Sequence, residues 1–546
     1  MSSRHLFAVL ASAASIASLA RAQPAPSSAT PTPRLVVFFT VDQLLPTYFE
    51  KYGRQLTGGL GRLYRNGAVF TNAFQDHAIT ETAPGHASVL SGRFPRGTGI
   101  VTNSLGVVDV QTPLVGVQGP GASPYRFRGS TLIDWMRLTD ARSRALSVSR
   151  KDRGAILPLG RAKQHVYWYA GGRFTTSTYY ADTLPTWVQR FNARQPSQAF
   201  AGRVWTPLLP DREYAEPDSV PFENTPVCIG ANPPRGLEVV FPHGMPRDGN
   251  DAARLLPYYP WMDEHTLALA LEGVQALDLG RGPQPDLLAV SLSTTDQVGH
   301  QFGPDSKEIH DMVLRLDRYM GAFLDSLYRL RDSTTIAVAL TADHGVAAYP
   351  EVYAQRHRMR VQRADIRPAV SPVLAAAYAA GIDTAAFRLE LEVEVALLWV
   401  DRDAFHRRGL DADSAIRAVA QAVRRVPGVQ RADEVRALRA RDPARLGSDY
   451  VARRWLQMLP ADLRVELVVT LEPQVYWSYM ICAMHGSPHD YDTHVPLIFY
   501  GPWFAPGRYT NTVRVVDMAP TLAQVLNVRP TEELDGRVLA QALRRR

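Results

Sequence analysis

Apolar residues along this chain fall into two rhythms. Leu35-Val36-Val37-Phe38-Phe39-Thr40-Val41 is an unbroken, β-rich run that stops at Asp42, the pattern of a strand buried on both faces. Ala68 to Phe74, Arg144 to Ser149, Asp286 to Ser293, Thr334 to Thr341 and His494 to Tyr500 read as further core strands. Between them lie helical spacings. Residues 57–67 predict a helix closed by Asn66-Gly67, Asp263 to Leu277 a second, and Met518 to Leu526 a last one. Lys307 to Leu330 places Ile309, Met312, Val313, Leu316, Met320, Phe323, Leu324 and Leu327 on one face, which makes an amphipathic helix. Strand, helix, strand in this order predicts an α/β fold, with a largely parallel central sheet flanked by helices and right-handed crossovers.

Two stretches break the rhythm. Residues 165–262 are rich in aromatics, prolines and turns and read as long surface loops with short helices. Residues 350–475 carry arginine-rich helices such as Asp413 to Arg425, with β-like runs at Arg388 to Val400 and Arg464 to Leu471. They predict an inserted α/β cap domain between a first core part, 34–349, and a second, 476–546. No solenoid-type repeat is visible.

The N-terminus predicts export. Arg4 and His5 precede an apolar run from Leu6 to Leu19 and the small-x-small Ala20-Arg21-Ala22, the layout of a signal peptide over residues 1–22. Residues 23–33 form a Pro/Ser-rich tether, and no later apolar stretch is long enough for a membrane anchor. The product is expected in the periplasm or secreted. Of 546 residues, 46% are apolar and 21% charged, an ordinary globular composition. The net charge of +7 is nearly all arginine, since lysine occurs only at Lys51, Lys151, Lys163 and Lys307. That balance suits anionic substrates, but no basic stripe predicts a nucleic-acid partner. Cys228 and Cys482 are compatible with one disulfide or with none. Without a Cys/His cluster, any metal must be held by oxygen and nitrogen.

Candidate chemistry gathers at the ends of the strands. Asp42, Asp296 and Asp343-His344 each follow the carboxyl end of an expected buried parallel strand, the edge where open α/β sheets bind ligands. One such aspartate is an ordinary turn residue. Three of them, two with histidine close by (Asp296 with His300, Asp343 with His344), point to a metal site, and His485-Gly486-Ser487 lies just before the last core strand. Zinc accepts carboxylate oxygen and imidazole nitrogen, and paired zincs serve in-line displacement. In Ile79-Thr80-Glu81-Thr82-Ala83-Pro84-Gly85-His86 a helix is expected to begin, with Thr82 at its N-cap and Pro84 in its first turn. A helix start of this kind favours anions.

Val41-Asp42, Thr82-Ala83-Pro84-Gly85-His86, Asp296-Gln297-Val298-Gly299-His300, Thr341-Ala342-Asp343-His344-Gly345 and His485-Gly486-Ser487 occur in this order. Together they resemble the alkaline phosphatase superfamily, and most of all its monomeric, periplasmic, phosphate-irrepressible members with a threonine nucleophile, relatives of the type I phosphodiesterases and nucleotide pyrophosphatases. The similarity runs from about residue 34 to the C-terminus and is weakest over the cap. It implies an alkaline phosphatase-like fold and a zinc-dependent phosphate monoester hydrolase of broad specificity, a monomer acting on small-molecule phosphate monoesters. Asp296, His300 and His485 would hold one of two zinc ions, and Asp42, Asp343 and His344 the other. Thr82 would bind that second ion and form a phosphothreonine. Asn103 matches the family's amide donor, and Lys151 and Arg153 match a Lys-x-Arg pair that meets the phosphoryl oxygens.

This pair distinguishes the branches. A monoester dianion has three free oxygens for cationic donors to bind, whereas a diester has less charge and a second substituent to house. Thr82 with its neighbours lacks the Cys or Ser and the arginine needed to make formylglycine, which argues against the sulfatase branch. A phosphodiesterase or pyrophosphatase on the same scaffold, and a non-catalytic phosphoryl-ligand binding protein, remain the alternatives. The latter is disfavoured because every position is filled by a competent residue. His77, His86, His489 and His494 fall off the ligand pattern: His86 is expected to pack its helix, the others to serve in loops or in support.

Overall fold

A computed structural model describes residues 31–219, 240–442, 445–480 and 482–544. The expected signal peptide, most of the tether and Cys228, on which any disulfide depends, lie outside the described residues. The central sheet has ten strands: β1 (Leu35–Val41), β2 (Ala68–Phe74), β3 (Ala145–Ser149), β4 (His165–Ala170), β5 (Arg173–Thr175), β6 (Asp286–Leu292), β7 (Ile336–Thr341), β8 (His494–Tyr500), β9 (Gly507–Tyr509) and β10 (Val513–Arg514). Their order is β9-β2-β8-β7-β1-β6-β3-β4-β5, with β10 also on β2. β1 lies in the middle, parallel to both β6 and β7. All seven of its residues are buried, which is why its sequence shows no alternation. The sheet is mostly parallel. β8 is the exception in its interior, antiparallel to both β7 and β2.

The helices that matter for the site are α1 (Thr82–Val89), α2 (Asp152–Ile156), α3 (Trp261–Ala276), α4 (Thr294–Phe302) and α5 (Lys307–Leu330). All eight apolar residues expected on one face of α5 are buried. At roughly 1.5–3 kcal/mol per fully buried large side chain, that face outweighs the cap of about 1 kcal/mol made where Ser306 Oγ accepts from Ile309 N at 3.1 Å.

Residues 165–170 and 173–175, expected among surface loops, are strands instead. β4 and β5 form a hairpin that extends the sheet, and Gly171 and Gly172 turn it with φ of 57° and 81°. Two consecutive positive φ angles are what a two-residue turn of this hand demands. Tyr167, Trp168 and Tyr169 are all buried there, so no alternation marks the strand.

A second, four-stranded antiparallel sheet is built from Phe387–Leu391, Val395–Val400, Val465–Leu471 and Val429–Glu434, in that order. The run Arg388 to Val400 is thus a hairpin and not one strand. Ile416, Val419 and Val423 of the helix Ala412–Val423 pack with Ala396, Leu398 and Val469 of this sheet. Its Val395, Leu397, Val465 and Val468 pack with Trp455 and with Ala78 and Ile79, which precede α1. Asp76 ties the same junction, accepting from Arg453 Nη2 at 3.0 Å and from Arg454 Nε at 3.1 Å. No helix among the described residues is long and apolar enough to cross a membrane.

Candidate active site

The register of the central strands sets where the carboxylates emerge. Val41 pairs with Leu292 and Thr40 with Thr341, so the three chains leave the sheet at one edge. Asp42 follows β1 directly, Asp296 lies in the first turn of α4, and Asp343 stands two residues past β7. β8 begins at this edge too, since His494 pairs with Phe74 at the end of β2. A chain that re-enters here must run back antiparallel, and the loop before it leaves His485 over the same edge.

α1 brings the threonine. Every residue of this helix is buried, and Thr82 is its first helical residue. The cap position belongs to Glu81, so Thr82 is not the N-cap, and no side chain caps the helix. The hydroxyl still sits at the helix start, and Oγ1 accepts from Lys151 Nζ at 3.3 Å. α1 lies close against the Asp343 backbone at Gly85, where a Cβ would come within 2.3 Å of the Asp343 carbonyl oxygen.

The histidines share one arrangement. His300 Nδ1 lies 2.6 Å from the Ala483 carbonyl, His344 Nδ1 3.0 Å from that of Gly345, and His485 Nδ1 2.7 Å from that of Thr80. A ring whose Nδ1–H is given to a carbonyl keeps Nε2 as the nitrogen that can bind a metal once its own proton is displaced. All three Nε2 atoms face carboxylates. His300 and His485 stand 3.1 and 3.5 Å from Asp296 Oδ1, and His344 3.4 Å from Asp42 Oδ1 and 3.5 Å from Asp343 Oδ2. His344 and His485 stack with ring centroids 3.5 Å apart.

Ligand atoms of Asp296, His300 and His485 lie within 4.8 Å of one another, and so do those of Asp42, Asp296 and His344. Asp42 Oδ1 and His344 Nε2 are buried without a hydrogen-bond partner among the described residues, a costly arrangement unless a cation is shared there. Burial raises the Asp42 carboxyl above its usual range, and the charges of Asp296 and Asp343 add to the effect. Burial opposes ionisation of Asp296 as well, but the ammonium of Lys151 and then His300 hold it well below that range. Burial lowers His485, yet its hydrogen bond to Asp296 prevails and lifts it to about 9. The donor set fits metal ions bound by oxygen and nitrogen.

The expected phosphoryl-binding residues gather on the same side. Lys151 Nζ is 2.5 Å from Asp42 Oδ2 and 2.7 Å from Asp296 Oδ2. Asn103 Oδ1 accepts from Ala83 N at 2.9 Å, and Asn103 N donates to Glu81 Oε2 at 2.6 Å. The first bond turns the amide so that its NH2 end is left for another acceptor. Arg153, in α2, has among the described residues only Asp152 as an ion-pair neighbour, at 3.6 Å, and its charge reaches Glu81.

Several residues here fall outside the ligand pattern. Glu81 is almost fully buried, and burial pushes its carboxyl up. It meets Glu392 from the hairpin turn of the second sheet, which burial and then the charge of Glu81 push up to about 8. His86 does more than pack: its Nδ1 lies 2.9 Å from Thr82 O and 3.1 Å from Asp343 Oδ2, and its Nε2 2.9 Å from Ser291 Oγ. Asp492 Oδ2 accepts from Gly486 N, Ser487 N and Ser487 Oγ at 3.0, 2.9 and 2.6 Å, which fixes the His485 loop. His489 and His494 bind the carbonyls of Leu471 and Thr71. His77 is fully buried and held down to about 3, chiefly by burial.

Asp263 of α3 holds the start of α4, its Oδ1 accepting from Ser293 N, Thr294 N and Thr294 Oγ1. Burial lifts its pKa from 3.8 to about 7 against these bonds. A carboxyl raised on folding stabilises the fold below its unfolded pKa, and that contribution is lost as pH rises towards 7. Asp263→Asn keeps an acceptor and cannot ionise. Denaturant melts at pH 4.5 and 8 are therefore expected to give a flatter pH dependence for the variant, which gains relative to wild type at pH 8. Parallel curves would show that Asp263 does not titrate in this window.

Comparison with known proteins agrees with this geometry. Residues 36–435 match the family described as type I phosphodiesterase / nucleotide pyrophosphatase. The chain is 30% identical to the alkaline phosphatase PhoV of Synechococcus elongatus, with 94% of this chain and 93% of that one covered. It is 31% identical to the alkaline phosphatase PhoK of a Sphingomonas species, covering 94% and 91%. The crystal structure of wild-type alkaline phosphatase PafA superposes with a TM-score of 0.83 at 27% identity, over 94% of this chain and 100% of that one.

Proposed function

Because the chain belongs to the type I phosphodiesterase/nucleotide pyrophosphatase family, and matches alkaline phosphatases along nearly its whole length, we propose that it is a zinc-dependent phosphate monoester hydrolase acting through a phosphothreonine. One observation carries the reading. Thr82 Oγ1, Lys151 Nζ and the carboxylates of Asp42 and Asp296 form one contiguous cluster at the ligand-binding edge of the sheet.

In this reading Asp296, His300 and His485 hold one zinc, and Asp42, Asp343 and His344, joined by the Thr82 hydroxyl, hold the other. Bound zinc supplies Lewis acidity, which makes a hydroxyl more acidic and offsets charge on a departing oxygen. Thr82 Oγ1 gives up its proton to solvent and bonds to phosphorus as the P–O bond to the leaving group breaks, and the departing alkoxide takes a proton from solvent to leave as the alcohol. Water then cleaves the phosphothreonine, which restores the hydroxyl and releases phosphate. Asn103, Lys151 and Arg153 bind the non-bridging oxygens throughout, and such positioned charge is the main source of catalysis in phosphoryl transfer. These contacts reach only the phosphoryl group, so broad specificity for the alcohol follows. We take residues 1–22 as an export signal, 350–475 as the cap, and the mature protein as a periplasmic or secreted monomer.

The family match favours a phosphodiesterase as the second reading. Rates on an aryl phosphate monoester and the matching diester, before and after chelation, separate the two. A strong monoester preference, abolished by chelation and restored by Zn2+, is expected. Equal or greater diester activity overturns the monoesterase, and phosphate binding without turnover of either points to a binding protein.

A further inference from the structure

Gln43 has an unusual backbone for its type. Its φ of 63° is in the left-handed region, which costs a non-glycine residue about 1 kcal/mol or more and persists only where its surroundings impose it. The residue is 1% exposed. It is bonded to Asp42, its backbone N–H donates to Asp343 Oδ1 at 3.2 Å, and its Nε2 donates to Asp296 Oδ1 at 3.0 Å. One residue therefore follows Asp42 directly in the chain and hydrogen-bonds the other two carboxylates of the candidate metal centre, which lie 253 and 300 residues away along the chain. The Gln43 Oε1 atom has no hydrogen-bond partner among the described residues, so the amide is held from its NH2 end alone.

Its seat depends on a second residue. A Cβ at Gly299 would lie 1.9 Å from Gln43 Oε1. Gly299 sits between Asp296 and His300 on α4, so the helix carrying two ligand-type side chains leaves room for the amide against its own backbone.

Resting on the zinc reading above, we propose that Gln43 is a positioning residue that fixes Asp296 against Asp42 and Asp343, and so sets the relation between the two halves of the metal centre. The backbone N–H orients one carboxylate and the side-chain amide the other, which leaves their remaining lone pairs to the ligand. Outer partners of metal ligands typically contribute about 10- to 100-fold in metal affinity, and the amide on Asp296 belongs in that range.

Gln43→Gly provides the test, because glycine accepts the positive φ and retains the N–H to Asp343, losing only the amide. Gln43→Asn tolerates the same φ but is one methylene too short to reach Asp296. Gly299→Ala pushes the intact amide aside. Chelator-stripped protein is titrated with Zn2+ against a competing indicator, alongside thermal melts and kcat and KM for an aryl phosphate monoester. The expected result for all three variants is about 10- to 100-fold weaker Zn2+ binding, with a lowered kcat that excess Zn2+ partly restores. The melt of metal-free Gln43→Gly should match or exceed that of wild type, since backbone strain is relieved.

Wild-type Zn2+ affinity in Gln43→Gly overturns the proposal. If that variant does not fold, Gln43→Asn and Gly299→Ala decide by the same criterion. Should wild type itself bind no Zn2+ and keep its activity after chelation, the zinc reading fails, and the role of Gln43 with it.

Discussion

Thr82→Ala is expected to lower kcat/KM for an aryl phosphate monoester by about four powers of ten, or about 5.5 kcal/mol at roughly 1.36 kcal/mol per decade. The substitution is a clean one. Alanine is the best helix former, Thr82 is the first residue of α1 and not its cap, and among the described residues the Thr82 hydroxyl has one side-chain partner, Lys151. Folding should therefore survive, and a melt within a few degrees of wild type is the control. Thr82→Ser keeps the hydroxyl and loses the methyl group that restrains its rotamer, so it should retain most of the activity. A chase with labelled phosphate monoester, quenched in acid, should leave label on residue 82 in wild type and in Thr82→Ser, and none in Thr82→Ala. Undiminished turnover by Thr82→Ala would remove threonine from the chemistry and leave the helix start as an anion site only.

How much of this was legible in the sequence depends on how local each signal is. β1, β6 and β7 are buried on both faces, so each announces itself as a continuous apolar run with an aspartate beyond its end. Asp296 and His300 are four apart on one helix and need no tertiary information to be paired. β4 and β5 were hidden because their aromatic residues are buried without alternation, and because Gly171-Gly172 reads equally well as a loop. The direction of β8 was not legible either, since strand composition does not reveal at which edge the chain re-enters. Gln43, Glu81 and His86 act through partners far along the chain: His86 meets Asp343 and Ser291, and Glu81 meets Asn103 and Glu392. A glutamine after an aspartate carries no periodicity and no motif chemistry of its own, and only the fold gives it a role.

The second large effect concerns the charge of the substrate, and the structure changes how it must be measured. Lys151→Ala together with Arg153→Ala removes two cationic donors from the proposed phosphoryl site. At roughly 1.5–3 kcal/mol for each hydrogen bond to a charged group, the pair amounts to about two to four powers of ten on a monoester dianion. A diester monoanion uses fewer of these contacts and should lose about tenfold or less. The two residues are not equivalent, however. Lys151 Nζ contacts Asp42 and Asp296 directly, so its removal also alters the carboxylates proposed to hold metal and is expected to lower turnover of both substrates. Arg153 forms an ion pair with neither of them and, among the described residues, pairs only with Asp152. Arg153→Ala alone is therefore the sharper measurement. Its expected signature is a drop in monoester kcat/KM of about ten- to a hundredfold, with the diester rate and the bound Zn2+ unchanged. Arg153→Lys keeps the charge but loses the planar fork, and it should recover only part of the loss. Equal losses on monoester and diester would mean that Arg153 does not read the dianion, and the preference for monoesters would then need another source.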